Sequence, residues 1–143
     1  MALYDRIGYG MHAWNWDLIA DVLPRGLCPG DADGIFVLSN GFFAIFEGKR
    51  ADATCPPPIR KGQFIAFKTL SRVGNCTIFI VGGDNRSGEI YWLRVMGPRG
   101  DTGWRRADLE DFRRLVWQWG DKYSKLPPFW ETRRENDFET WSW

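Results

Sequence analysis

The chain has 143 residues, of which 44% are hydrophobic and 26% charged, a composition that excludes disordered and fibrous proteins. Its net charge of +1 does not by itself indicate a polyanionic partner. No apolar run reaches the roughly 20 residues that a membrane-spanning helix needs, so we expect no membrane partner.

The first half of the chain predicts a helix and then a hairpin. Residues 13–23 place Trp14, Leu18 and Val22 four apart and end before a proline, which is typical of a helix. Residues 35–38 and 42–46 are apolar runs joined by Ser-Asn-Gly. Because Asn-Gly tolerates positive φ angles, this junction predicts a tight turn between antiparallel strands.

The second half predicts helix, strand, strand, helix. Residues 59–72 return to helical spacing after a proline-rich loop. Residues 76–81 are β-branched and aromatic, as expected of a central buried strand that the following glycines end. Residues 89–96 predict a strand nearer an edge. Asp108 is a suitable N-cap for an amphipathic final helix.

This order predicts an α/β fold with a mixed central sheet flanked by helices, including a C-terminal helix. We expect one domain over residues 1–123. Residues 124–143 form a tryptophan-rich tail. Tryptophans of this kind are more often anchors in a core or interface than stacking platforms for nucleic-acid bases.

A group of charged residues follows the apolar runs of the hairpin. Side chains alternate along a strand, so Glu47 and Lys49 are predicted to share one face, which Phe43 and Ile45 continue as an apolar surface. Asp33 opens the other arm, which brings two carboxylates close together. Two neighbouring carboxylates stay ionised most readily around a cation, and oxygen ligands suit Mg²⁺ or Mn²⁺. The alternative is a surface ion pair between Glu47 and Lys49 beside an ordinary turn.

The ordered set of motifs resembles the PD-(D/E)xK nuclease superfamily, which has the restriction-endonuclease-like fold. Asp33 precedes Gly-Ile-Phe-Val, Phe-Ala-Ile-Phe precedes the E-x-K of residues 47–49, and Lys-Gly-Gln at 61–63 opens the next helix. The family's Pro-Asp is Ala32-Asp33 here. Asp31 offers a competing carboxylate two residues earlier.

This resemblance implies an α-β-β-(β)-α-β core and a specific set of site residues. Asp33, Glu47 and the carbonyl of Gly48 would be the metal ligands. Lys49 would be the catalytic lysine, and Gln63 would position water or the substrate phosphate. An auxiliary acid from the first helix would be Asp17 or Asp21.

The basic residues are unevenly distributed along the chain, although on charge alone solvated surfaces with chance clustering are the favoured interpretation. Residues 60–125 hold thirteen basic and seven acidic side chains, whereas residues 1–34 hold two and five. Four basic residues near the predicted site could bind DNA phosphates, although single surface cations more often only increase solubility: Arg60, Lys61, Lys68 and Arg72. Arg113 and Arg114 are expected to pair with acidic residues at helical spacing instead.

Three functional hypotheses follow. The first is an Mg²⁺- or Mn²⁺-dependent DNA endonuclease, of the structure-selective kind that cuts junctions, because the chain leaves little room for a target-recognition domain. The second is a catalytically silent module of the same fold that binds nucleic acid or a protein. The third is an interaction protein that uses its tail. Because resolvases act as symmetric dimers, a homodimer is a further hypothesis.

The cysteines and the N-terminus predict the compartment. Cys28, Cys55 and Cys76 are an odd number without C-x-x-C spacing, which favours idle thiols over disulfides or a zinc site. The first residues lack a basic start followed by an apolar core, so we expect no secretory signal. Both observations predict a cytoplasmic location.

Overall fold

The structure, a computed structural model, describes residues 16–22, 34–84 and 86–132. Within these ranges six strands form one mixed sheet in the order β1-β2-β3-β4, with β5 and β6 both paired to β4. The strands are β1 (Ile35–Val37), β2 (Phe43–Arg50), β3 (Cys76–Asp84), β4 (Glu89–Gly97), β5 (Gly100–Asp101) and β6 (Arg105–Arg106). The helices are α1 (Lys61–Ser71), α2 (Leu109–Ser124) and two 3₁₀-helices, Trp16–Val22 and Phe129–Thr132.

One crossover sets the direction of the central strands. β1 and β2 are antiparallel, and their turn closes with the Leu38 N–H donating to the Phe42 carbonyl (2.8 Å). β2 and β3 are parallel, so α1 must return the chain between them. The N-terminus of α1 therefore follows the carboxyl end of β2, where Glu47 and Lys49 lie opposite Ile80 and Gly82 of β3.

The sheet has an apolar core on each face. On one face Phe46 and Phe79 stack 5.4 Å apart and pack against Phe112 of α2. On the other face α1 contributes Phe67, which packs with Ile78 of β3, a strand that is buried up to Gly83. Helices thus flank a mixed sheet, which confirms the predicted α/β class. None of the helices within the described ranges is long and apolar enough to cross a membrane.

Two predicted elements differ from those observed. The glycines after residue 81 do not end β3, which continues through Asp84 with a register shift between Gly82 and Gly83. A Cβ on Gly82 would lie 2.9 Å from the Pro57 ring. The glycine therefore leaves space for the loop that contains Pro57, and it does not break the strand. The first predicted helix is a 3₁₀-helix whose buried residue is Ile19, and residues 13–15 and 23 lie outside the description.

The start of α2 confirms the predicted cap. The Asp108 carboxylate accepts the Asp111 N–H (2.8 Å), and the Asp111 carboxylate accepts the Asp108 N–H (3.0 Å). Arg114 pairs with Asp111, and Arg113 lies 3.9 Å from Glu110. The predicted pairing along the helix is therefore confirmed for Arg114, whereas Arg113 donates its hydrogen bonds to Asp21 and is only within ion-pair distance of Glu110.

The hairpin turn anchors the chain that follows α2. The Asn40 amide donates to the carbonyls of Tyr123 (2.6 Å) and Leu126 (3.0 Å). The backbone carbonyl of Asn40 accepts a hydrogen bond from the Phe129 N–H (2.8 Å). The ring centre of Phe129 lies 5.6 Å from that of Phe42. The first part of the predicted tail thus contacts the domain.

We expect Asn40→Ala to lower the free energy of unfolding by about 2–3 kcal/mol, because two carbonyls lose their donor in a partly buried setting. Urea unfolding monitored by circular dichroism measures this change. Ser39→Ala, at an exposed position of the same turn, is the control and should change stability by less than about 0.5 kcal/mol. Equal effects of the two variants would contradict the anchoring role.

Candidate functional site

Three of the predicted site residues converge at the carboxyl end of β2. Glu47 and Lys49 project toward α1, as the alternation of the strand predicts, and Gln63 lies in the first turn of α1. The Gln63 Nε2 donates to Glu47 Oε1 (3.0 Å), and the Lys49 Nζ lies 3.7 Å from the same oxygen. The crossover thus joins residues that are sixteen positions apart.

The two oxygens of Glu47 have different surroundings. Oε1 receives both the amide and the ammonium group, whereas Oε2 accepts no hydrogen bond within the described part of the chain. The Glu47 side chain is 32% exposed, and that of Lys49 is 18% exposed. Among the described residues the carboxylate is therefore oriented through one oxygen only, which leaves the other available to a ligand.

The side-chain amide of Gln63 has one oxygen that lacks a hydrogen-bond donor among the described residues. Its Oε1 is buried and accepts no hydrogen bond from any residue that the structure describes. Turning the amide over would set this oxygen against the carboxylate of Glu47, so the observed orientation is the favoured one. An unpaired buried acceptor costs about 1–3 kcal/mol. A water molecule or a ligand that donates a hydrogen bond would remove this cost.

The backbone of Gly48 faces the edge of β2 at which β1 begins. Phe46 donates its backbone N–H to the carbonyl of Gly34 (2.6 Å) at this edge. Alternate residues of a strand direct their N–H and C=O groups to the same edge, so the Gly48 carbonyl points there too. Asp33 directly precedes Gly34 in the chain and, like Asp31, lies outside the described residues.

Within the described part of the chain, the N-terminus of α1 is open to an anion. Its N-cap, Arg60, has extended backbone and makes no side-chain cap, and the first turn contains no acidic residue. The first N–H groups of a helix point away from it and carry partial positive charge, which favours a phosphate. Arg60 and Lys61 are exposed at this end. Lys68 and Arg72, the other two predicted DNA-binding residues, lie in the last turn and at the C-cap.

An ion pair that sequence analysis missed lies on the same side of the sheet. Arg94 lies opposite Ile80 in the β3–β4 register and makes two hydrogen bonds to Asp101 of β5, of 2.9 and 2.6 Å. Its guanidinium also lies 5.2 Å from the centre of the Phe64 ring on α1. The hydrogen bonds from Arg94 hold the pKa of the Asp101 carboxyl below its usual value.

We expect this pair to make stability depend on pH. The pKa of Asp101 is lower in the folded than in the unfolded state, so its contribution is present above about pH 4 and is lost as the pH falls through the folded-state value. Asp101→Asn should therefore lower the free energy of unfolding at pH 7, and the difference from the parent protein should shrink below about pH 4. Urea unfolding at several pH values measures it, and a difference that does not change with pH would contradict this assignment.

The predicted auxiliary acids do not join the cluster in the described residues. Asp21 forms a two-pronged ion pair with Arg113 of α2, with 2.6 Å between Oδ1 and Nη1. This hydrogen bond lowers the pKa of Asp21. Asp21 thus has its own partner on the α2 side of the sheet, and the side chain of Asp17 lies outside the description.

A divalent cation at this site would need several oxygen ligands grouped around it. Within the described ranges no three His, Cys, Asp or Glu side chains are grouped so that they could hold a metal. Asp33 lies outside these ranges, and the Gly48 donor is a backbone carbonyl, so the ligand set of Asp33, Glu47 and Gly48 stays a prediction. Glu47 Oε2, which accepts no hydrogen bond from a described residue, and the Gly48 carbonyl fit such a set, because both are hard oxygen donors.

Comparisons with protein-family models, with curated proteins and with solved structures find no match for this chain. The resemblance to the nuclease superfamily therefore depends on the ordered motifs alone. Because an α/β fold can serve many activities, only the chemistry of the site indicates a function.

Proposed function

We propose that the protein is an Mg²⁺- or Mn²⁺-dependent phosphodiesterase that hydrolyses the backbone of DNA. The observation that carries the proposal is the convergence of Lys49 Nζ and Gln63 Nε2 on Glu47 Oε1, beside the open N-terminus of α1. An oriented carboxylate can hold a cation, and an ammonium group with free helix N–H groups can hold a phosphate. These are the components that metal-assisted phosphoryl transfer uses.

The proposed ligands of the ion are Glu47, the Gly48 carbonyl and Asp33. Oxygen donors of this kind suit Mg²⁺ or Mn²⁺ better than zinc, which prefers nitrogen and sulfur. When bound, such an ion would polarise the phosphate and make a neighbouring water more acidic.

The side chains around the ligands have separate roles in this proposal. Gln63 fixes Glu47 through Oε1, which leaves Oε2 for the cation. Lys49 stabilises the negative charge that develops on the phosphate during hydrolysis. The Oε1 of Gln63 is buried and accepts no hydrogen bond from a described residue, so a water that it orients has to lie enclosed within the site. Arg60 and Lys61 attract the DNA backbone to this end of α1.

Cleavage assays test the activity directly. We expect the protein to nick supercoiled plasmid and to cut a four-way junction in Mg²⁺ or Mn²⁺, with no cleavage in EDTA. Faster cleavage of the junction than of a linear duplex of the same length would support structure selectivity. DNA binding without cleavage would overturn the enzyme hypothesis and favour a catalytically silent module. Absence of both binding and cleavage would overturn the enzyme hypothesis and the DNA-binding module alike.

Metal binding is a second test of the same site. We expect Glu47→Gln and Asp33→Asn each to weaken Mn²⁺ binding at least about tenfold, because each removes the charge of a proposed ligand. Isothermal titration calorimetry with Mn²⁺ measures the dissociation constants. Asp121→Asn, whose parent residue pairs with Lys125 on α2, is the control and should leave them unchanged.

A further inference from the structure

A second cleft lies on the α2 side of the sheet, on the opposite face from Glu47 and Lys49. It occupies about 770 Å³ between the helix and the outer strands β4 to β6. The α2 residues that line it recur at helical spacing, so one stripe of the helix faces the cleft, and they include Asp111, Arg114, Leu115, Gln118 and Lys122. This volume is in the range of sites that hold small organic molecules.

The inner wall of the cleft is apolar and partly aromatic. β3 and β4 contribute Phe79, Leu93 and Val95, and α2 contributes Leu115 and Trp119. Phe79 and Trp119 pack edge to face, with 6.5 Å between their ring centres. A partly aromatic surface of this kind suits a planar or otherwise apolar ligand body.

The rim of the cleft carries cations that no carboxylate neutralises within the described residues. Arg99 lies in the turn between β4 and β5, Arg105 lies opposite Leu93 in the β4–β6 pair, and Lys122 lies on α2. None of the three forms an ion pair with another described residue. The two acidic residues that line the cleft already have partners, Asp101 with Arg94 and Asp111 with Arg114.

Two of these cations, Arg99 and Lys122, repel each other. Loss of hydration lowers the pKa of Lys122, and the positive charge of Arg99 lowers it further. Like charges held this close to an apolar wall favour an anion near them, since an anion would offset both effects.

We infer that this cleft binds a small aromatic anion. Its phosphate, sulfonate or carboxylate group would lie at the rim formed by Arg99, Arg105 and Lys122, and its ring would contact the wall that includes Leu115 and Trp119. The inference goes beyond the proposed phosphodiesterase and does not depend on it, because the two sites lie on opposite faces of the sheet.

Calorimetry on the full chain with four probes tests the inference. Adenosine 5′-monophosphate and naphthalene-1-sulfonate each combine a ring with an anionic group, whereas adenosine lacks the charge and inorganic phosphate lacks the ring. We expect at least one aromatic anion to bind with 1:1 stoichiometry and at least about tenfold more tightly than adenosine or phosphate. Binding of the nucleotide alone would identify a nucleotide site. Binding of neither aromatic anion, or equal binding of phosphate, would overturn the inference.

Two variants locate the bound anion. We expect Arg99→Ala and Lys122→Ala each to weaken binding about tenfold, because each removes a charge-assisted contact. Lys125→Ala is the matched control, since Lys125 follows the same helix but pairs with Asp121 (2.8 Å), and it should leave affinity unchanged. Glu47→Gln should also leave it unchanged. An equal loss in Lys125→Ala, or no loss in either cleft variant, would overturn the assignment.

Discussion

Replacing Glu47 by glutamine is expected to lower metal-dependent DNA cleavage on the order of 1,000-fold while the protein stays folded. The substitution keeps the shape of the side chain, and its amide oxygen can still accept the hydrogen bond from Gln63 Nε2. It removes the negative charge that would hold the cation and that lies 3.7 Å from the Lys49 ammonium. The loss of charge therefore affects both the metal and the orientation of the lysine.

Single-turnover nicking of supercoiled plasmid in Mg²⁺ measures the effect of Glu47→Gln. Glu110→Gln makes the same change of charge at a side chain that is 84% exposed on α2, and it should cleave at the parent rate. Urea unfolding of both variants shows whether the fold is retained. Parent-like cleavage by Glu47→Gln would refute the assignment of this carboxylate, whereas a matching loss in Glu110→Gln would indicate a general effect of charge.

The site shows which features are readable from local sequence. Glu47 and Lys49 share a face because the side-chain period of a strand is two, and this holds wherever the strand lies in the fold. The contact of Gln63 with Glu47 depends on how the crossover seats α1 on the sheet, and only the family resemblance indicated it. The pair of Arg94 and Asp101 depends on a two-residue strand, which is too short to leave a periodic signal.

The wrongly predicted strand end has a related cause. Gly82 and Gly83 disfavour a strand by intrinsic propensity, so local sequence predicts a break after residue 81. In the folded chain these glycines are needed because other backbone and ring atoms occupy the space of their missing side chains. The residues that impose this are Pro57, 25 positions earlier, and Glu89 across the β3–β4 pair. Tertiary contacts thus override the local preference.

Gly83→Ala is accordingly expected to lower the free energy of unfolding by more than about 3 kcal/mol, among the larger effects of single substitutions. An added Cβ would lie 2.0 Å from the Glu89 carbonyl oxygen and 2.9 Å from the Ile90 Cα. Both are backbone atoms, so a side-chain rotation cannot relieve the contact and β3 must separate from β4. Ile90 is 4% exposed in the core beside α2, so this separation would also disturb apolar packing.

Gly62→Ala is the matched control, because an added Cβ there meets no atom within 4 Å and the residue lies inside α1. Alanine favours a helix over glycine, and Gly62 lies in the first turn of α1, so we expect this variant to be at least as stable as the parent protein. Urea unfolding measures the stability of both variants.

Gly83→Ala is also expected to reduce cleavage activity. Gly83 lies opposite Arg50 and Gly82 lies opposite Lys49, so a displaced β3 would also move the lysine of the candidate site. A Gly83→Ala protein as stable as Gly62→Ala would contradict the close strand contact from which both expectations follow.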